Sequence, residues 1–223
     1  MLRLGLRALV VSAAAAVASP ASAQSANVLP DLTTSGAAFD PERAVDLPAE
    51  AKTAFASALA KMKTGEISGL ILVASPDGAS WTLNVAPKSL ADYDPSDSAR
   101  QALEICEFRA GRPCAVLSVD GYQAGKPSGA GPEPQAMLSD RLSNFDATRL
   151  PFVPASKRGA AAHYLTAAGP RAFAVTTSGL WLWRGAATVR EAIDKTMSDC
   201  ADEFKPADCI LYAVGARVVF GAQ

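Results

Sequence analysis

Along residues 48–63, Ala51, Phe55, Ala58, Leu59 and Met62 recur on one face of a 3.6-residue period, with Pro48 at the opening position and Gly65 past the end. That spacing predicts an amphipathic helix. Two short apolar runs follow, 69–75 and 80–85, parted by Pro76-Asp77-Gly78, and they read as a strand pair. Asp94 can then cap a helix that Pro95 opens, with Ala99, Leu103 and Cys106 at i, i+4 and i+7. A strand is expected at 114–119. The same order then returns. A helix over about 155–168 stops at Gly169-Pro170, and strands at 171–177 and 180–184 turn about Gly179. Thr188-Val189-Arg190-Glu191 spells a capping box, and Ile193, Met197 and Cys200 repeat the i, i+4, i+7 face. A strand is expected at 209–214, and Arg217-Val218-Val219-Phe220 reads as a last short one.

The residues repeat as well as the pattern. FDPERAVDLPA (39–49) matches FDATRLPFVPA (145–155), pairing Phe39 with Phe145, Asp40 with Asp146, Arg43 with Arg149, Pro48 with Pro154 and Ala49 with Ala155. GLILVASPDGASW (69–81) matches RAFAVTTSGLW (171–181), and ALEICEFRAGRPCAVLSVDG (102–121) matches TMSDCADEFKPADCILYAVG (196–215). Three matched blocks in one order point to an internal duplication. The expected class is therefore α+β, an α-β-β-α-β unit present twice, each a small sheet covered by helices. The third strand of each unit should cross over to lie parallel to the second, most simply by pairing antiparallel with the first. The division is 1–23 export signal, 24–38 flexible leader, 39–121 first unit, 122–144 Gly/Pro-rich linker and 145–223 second unit.

The start of the chain changes the picture of where it works. Arg3 and Arg7 precede an apolar run at 8–18, and Pro20-Ala21-Ser22-Ala23 offers an A-x-A cleavage site. These are the parts of a cleavable signal peptide. Beyond it, nothing approaches the roughly 18 unbroken apolar residues of a membrane span. The expectation is a periplasmic or secreted protein with no membrane insertion after cleavage. The signal carries two arginines and no acid, so the remainder is mildly acidic. Such a balance gives no electrostatic footprint for nucleic acid.

Cys106 and Cys114 lie eight apart, and Cys200 and Cys209 nine apart, each pair joining a helix's apolar face to the opening of a strand. The duplication favours two local disulfides, 106–114 and 200–209. The rivals are a four-cysteine zinc site and free or redox-active thiols. Zinc ligands usually pair at closer spacing, and an oxidising compartment disfavours free thiolates.

Other chemistry is sparse. His163 is the one histidine of the chain, so any His-dependent triad or metal site would run through it. No nucleophile elbow, HExxH or dinucleotide fingerprint occurs, and 121–128 has the wrong glycine spacing for a phosphate loop. No catalytic residue, metal ligand or cofactor is therefore assigned. The candidate ligand-binding residues are Arg43 and Arg149, whose guanidinium forks could meet an anion in equivalent clefts, and Trp181 and Trp183, which share one face of a strand. The commoner uses stand against these: an Asp–Arg pair most often fastens a turn, and strand tryptophans, Trp81 included, more often pack the core.

The Cys-containing blocks, the second ending in Cys209-Ile210-Leu211-Tyr212-Ala213-Val214, resemble uncharacterised exported bacterial proteins with recurring helix-Cys/Cys-strand units. The resemblance implies fold and compartment and no activity. The functional expectation is a non-enzymatic exported binding or interaction protein, its partner a ligand or envelope protein still to be named. A periplasmic hydrolase whose active site assembles only in three dimensions is the alternative.

Overall fold

The computed structural model describes residues 32–44, 47–89, 93–125, 134, 137–138 and 143–220. The expected export signal lies outside them, as does most of the expected 122–144 linker.

In the first unit, helix α1 (Ala49–Lys63) is followed by strands β2 (Ile67–Ala74) and β3 (Trp81–Pro87), helix α2 (Pro95–Ala110) and strand β4 (Ala115–Val119). Asp94 caps α2 by accepting the Ser96 amide, and Gly111 ends it in the left-handed conformation at φ 65°. Two short strands extend this unit beyond the expected five elements: β1 (Thr34–Ala38) and β5 (Tyr122–Ala124). They pair with one another, and β5 pairs with β4, giving the sheet order β1-β5-β4-β2-β3. Part of the expected leader and the start of the expected linker thus belong to the sheet. Neither segment carries the β-branched alternation that marks a strand; Gly121 and the pairing itself make them one.

The second unit has α3 (Ala155–Arg158), a 3-10 turn at Gly159–Ala162, α4 (His163–Thr166), β6 (Arg171–Thr176), β7 (Trp181–Gly185), α5 (Val189–Glu203), β8 (Cys209–Val214) and β9 (Arg217–Val218). The single helix expected at 155–168 is therefore broken into short turns. Gly159 is a poor helix former, and the buried Arg158 beside it hydrogen-bonds the carbonyls of Val153 and Thr148. The apolar face of α5 is also turned by one position from expectation. Ala192, Thr196 and Cys200 are its buried residues, with Ile193 and Met197 at the margin.

The second sheet runs β7-β6-β8-β9, the order of β3-β2-β4-β5 in the first. Each third strand lies antiparallel to the first of its unit, as expected. The likeness extends to an irregularity. Val73 faces Val116 and Leu72 faces Ser118, so Leu117 is an extra residue; Ala174 faces Leu211 and Phe173 faces Ala213, so Tyr212 is extra. A bulge bends its strand and redirects a side chain, and both copies carry it at the same rung. Both disulfides are formed, Cys106–Cys114 and Cys200–Cys209, each with a Cα–Cα distance of 6.1 Å.

Layering follows from strand alternation. Leu70, Leu72, Ala74 and Leu117 face α1 and Phe55, while Ile71, Val73, Val116 and Val119 face α2 through Ala99, Leu103 and Cys106. In the second unit Phe173, Val175 and Tyr212 pack against Phe145, Leu150, Phe152 and Tyr164, and α5 covers the other face around Ala174 and Leu182. Helix α2 serves both units: its opposite side sends Ile105 to the second core and Phe108 to Phe152 and Phe220.

Candidate functional site

The first region of interest lies along β3. This strand is the outer member of its sheet, and among the described residues no strand pairs with its far side. The Ser75 amide donates to the Ser80 carbonyl at 2.8 Å, which sets the alternation of the β2–β3 ladder. Residues 82 and 84 then bond to β2, while Trp81, Leu83 and Val85 direct their amides and carbonyls outward. Helices flank the strand, and a groove of about 620 Å³ runs beside it, lined by Ser80, Trp81, Thr82, Leu83, Ala54 of α1, and Ile105 and Arg109 of α2. Ile105 also touches the second core, so the groove reaches the boundary between the units. Thr82 is only 7% exposed, yet its hydroxyl has no hydrogen-bond partner among the described residues. Arg109 is exposed.

The matching edge, β7, is closed differently. By the same alternation Trp181 and Trp183 point their backbone groups outward. There the Trp183 carbonyl accepts the Arg184 guanidinium at 3.1 Å, and Arg184 also pairs with Asp199 at 2.5 Å. A charged side chain on an edge strand discourages pairing with another chain. β3 has no charged residue along its seven positions.

The second region is a buried ion cluster where the units meet. Arg100 pairs with Asp97 at 2.8 Å and with Glu104 at 2.5 Å, all from α2, and donates to the Val153 carbonyl of the second unit at 2.8 Å. Glu104 accepts the Phe152 amide at 2.6 Å and Asp97 accepts the Ala155 amide at 2.9 Å. Phe152 holds a left-handed φ of 64°, which a phenylalanine adopts only where its surroundings impose it. Burial pushes the Glu104 carboxyl above its ordinary value, an effect that Arg100, the Phe152 amide and Arg158 only partly offset. Burial likewise lowers Arg158, with Arg100 adding to the shift. Both Asp97 oxygens and one Glu104 oxygen accept from Arg100 or from backbone amides of the second unit, so the cluster acts as a clamp between units.

The residues expected to bind a ligand are not brought together. Arg43 stands exposed, 3.4 Å from Asp40. Arg149 lines a cavity of about 600 Å³ with Asp146, Thr148 and Asn144, and it lies close enough to Tyr212 to oppose the burial that raises that phenol to about 12. The two arginines thus occupy unlike surroundings rather than equivalent clefts. Asp40 and Asp146 both serve as turn acceptors, for the Glu42 and Thr148 amides. Trp181 stacks on Phe173 with centroids 5.4 Å apart, and Trp183 meets Tyr164 edge-on at 6.1 Å. Both tryptophans therefore pack against the second core. His163 is exposed at the start of α4, and no side-chain hydrogen bond or ion pair is found for it among the described residues. Among those residues no group of three or more His, Cys, Asp or Glu side chains is placed to hold a metal, and no helix is long and apolar enough to cross a membrane.

No protein-family model, curated protein or solved structure matches this chain. Function is therefore read from the site alone.

Proposed function

We propose that the chain is exported, loses residues 1–23, and works in the periplasm or outside the cell as a binding or interaction protein. The observation that carries the reading is the groove beside β3. It offers an aromatic ring (Trp81), an apolar wall (Ala54 and Ile105), a guanidinium (Arg109) and a buried hydroxyl without a partner in one recess. An unpaired buried hydroxyl is costly unless something supplies its hydrogen bond. Two formed disulfides support an oxidising compartment. The hydrolase alternative draws less support, because the buried carboxylates Asp97 and Glu104 are committed to Arg100 and to backbone amides.

Panning the purified chain against displayed random peptides tests the reading. Enrichment of peptides that bind the wild type and fail on Trp81→Ala is expected. No enrichment, or hydrolytic turnover of the bound peptides by the same preparation, overturns it.

A further inference from the structure

We infer that β3 takes up an added strand: an extended segment of another polypeptide pairs with the outward backbone groups of Trp81, Leu83 and Val85 and sets an acidic side chain against Arg109. The inference rests on the binding reading above and specifies the ligand class and how it is held.

Three observations converge. The ladder alternation leaves a row of unpaired amides and carbonyls on an uncharged edge, which is a template for main-chain pairing. The duplicate edge at β7 has the same geometry, but Arg184 sits across it and caps the Trp183 carbonyl. One copy of the fold has therefore blunted its edge, and the other has kept it open. The groove supplies side-chain selection beside that edge. Trp81 and Ile105 offer apolar contact, and the exposed Arg109 a positive charge for which no ion pair is found among the described residues. A carboxylate is the complement of such a guanidinium.

The walls decide between a lone strand and a second copy of this chain. Ala54 on α1 and Ile105 and Arg109 on α2 stand on either side of the edge. A bare extended segment brings no helices of its own to these walls. A second β3 would bring its own α1 and α2 against the same walls.

The experiment uses the full chain and a peptide enriched from a displayed random library, synthesised plain and with single backbone N-methyl groups. Amide exchange at Trp81, Leu83 and Val85 should slow on binding, while Thr82, already bonded to β2, changes little. N-methylation at alternate peptide positions should weaken binding about tenfold each, and the intervening positions should tolerate it. Enriched peptides should share an Asp or Glu, and Arg109→Glu should remove that preference. If peptides bind but leave these amides unprotected and tolerate N-methylation evenly, strand addition is wrong and the binding reading survives. If no peptide is enriched, both fall. If the chain self-associates with the same three amides already protected, the occupant is a second copy and the inference fails.

Discussion

The Glu104 carboxylate accepts the amide of Phe152 at 2.6 Å, joining residues of different units that lie 48 positions apart. The same carboxylate holds Arg100, and Arg100 reaches Val153 beside Phe152. The bond thus closes a circuit that fixes α2 to the segment entering α3. Removing one member of a buried pair strands the rest, at a typical cost of about 3 to 5 kcal/mol. Glu104→Ala should therefore lower stability by that order in denaturant unfolding. Glu104→Gln, which keeps an acceptor for the Phe152 amide, should cost clearly less. Equal losses would mean that the amide bond contributes nothing.

The pH dependence follows from the direction of the Glu104 shift. Burial raises its carboxyl in the folded state, so the native protein holds this proton more tightly than the unfolded chain does. The associated stability is fully present below the unfolded carboxylate value of about 4.3 and is lost as pH rises through the folded value. Relative to Glu104→Gln, the wild type should therefore lose stability as pH increases across that window. Parallel pH profiles for the two proteins would contradict the burial argument.

Much of the fold was legible because it rests on local periodicity. Ala51, Phe55 and Ala58 are buried on α1 as their spacing required, and both cysteine pairs are bonded where a helix meets a strand. The clamp was not legible. Asp97, Arg100 and Glu104 are spaced three and four apart, the same pattern that a solvated helix surface shows, and their partners lie some fifty residues on. Nor was the open edge legible, since strand order decides which member of a hairpin stays unpaired. Arg43 and Arg149 illustrate the reverse: equal in sequence position, they stand in unlike surroundings, one exposed beside Asp40 and the other on a cavity wall near Tyr212.

The disulfides should act independently, because each lies within its own unit. Closing loops of 8 and 9 residues stabilises by about 2.5 kcal/mol each on the chain-entropy account. Cys106→Ala and Cys200→Ala should each lower the unfolding midpoint, with effects that add in the double variant. Peptide mapping without reductant should recover only the two local links. A link from 106 to 200 would contradict the duplicated arrangement.

Gly69 has its own reason to lack a side chain. A Cβ there would sit 2.0 Å from the Tyr93 ring, whose hydroxyl donates to Asp120 at 3.3 Å, and Asp120 in turn accepts the Leu70 amide at 2.8 Å. Gly69→Ala should cost about 1 to 3 kcal/mol by overpacking. Adding Tyr93→Ala should recover part of that loss, so the two changes combine to less than their sum. Full additivity would show that the ring does not cover Gly69.

Trp181 and Trp81 hold matching positions and each packs, partly buried, against its own unit's core, but only Trp81 also lines the groove. Trp181 stacks on Phe173 in the core, and such ring pairs add about 0.5 to 1.5 kcal/mol beyond area burial. Trp181→Ala should lower the unfolding midpoint and leave peptide binding unchanged in the folded protein. Trp81→Ala should weaken peptide binding more than it weakens the fold. The opposite ranking would move the binding surface to β7.

Backbone chemical-shift mapping with an enriched peptide locates the binding surface, which we place in the groove beside β3. Perturbations should concentrate at Ser80, Trp81, Thr82 and Leu83 on the strand and at Ile105 and Arg109 on α2. Perturbations centred instead on the cavity at Asn144, Asp146 and Arg149, or a peptide that leaves the β3 signals unmoved, would contradict that placement.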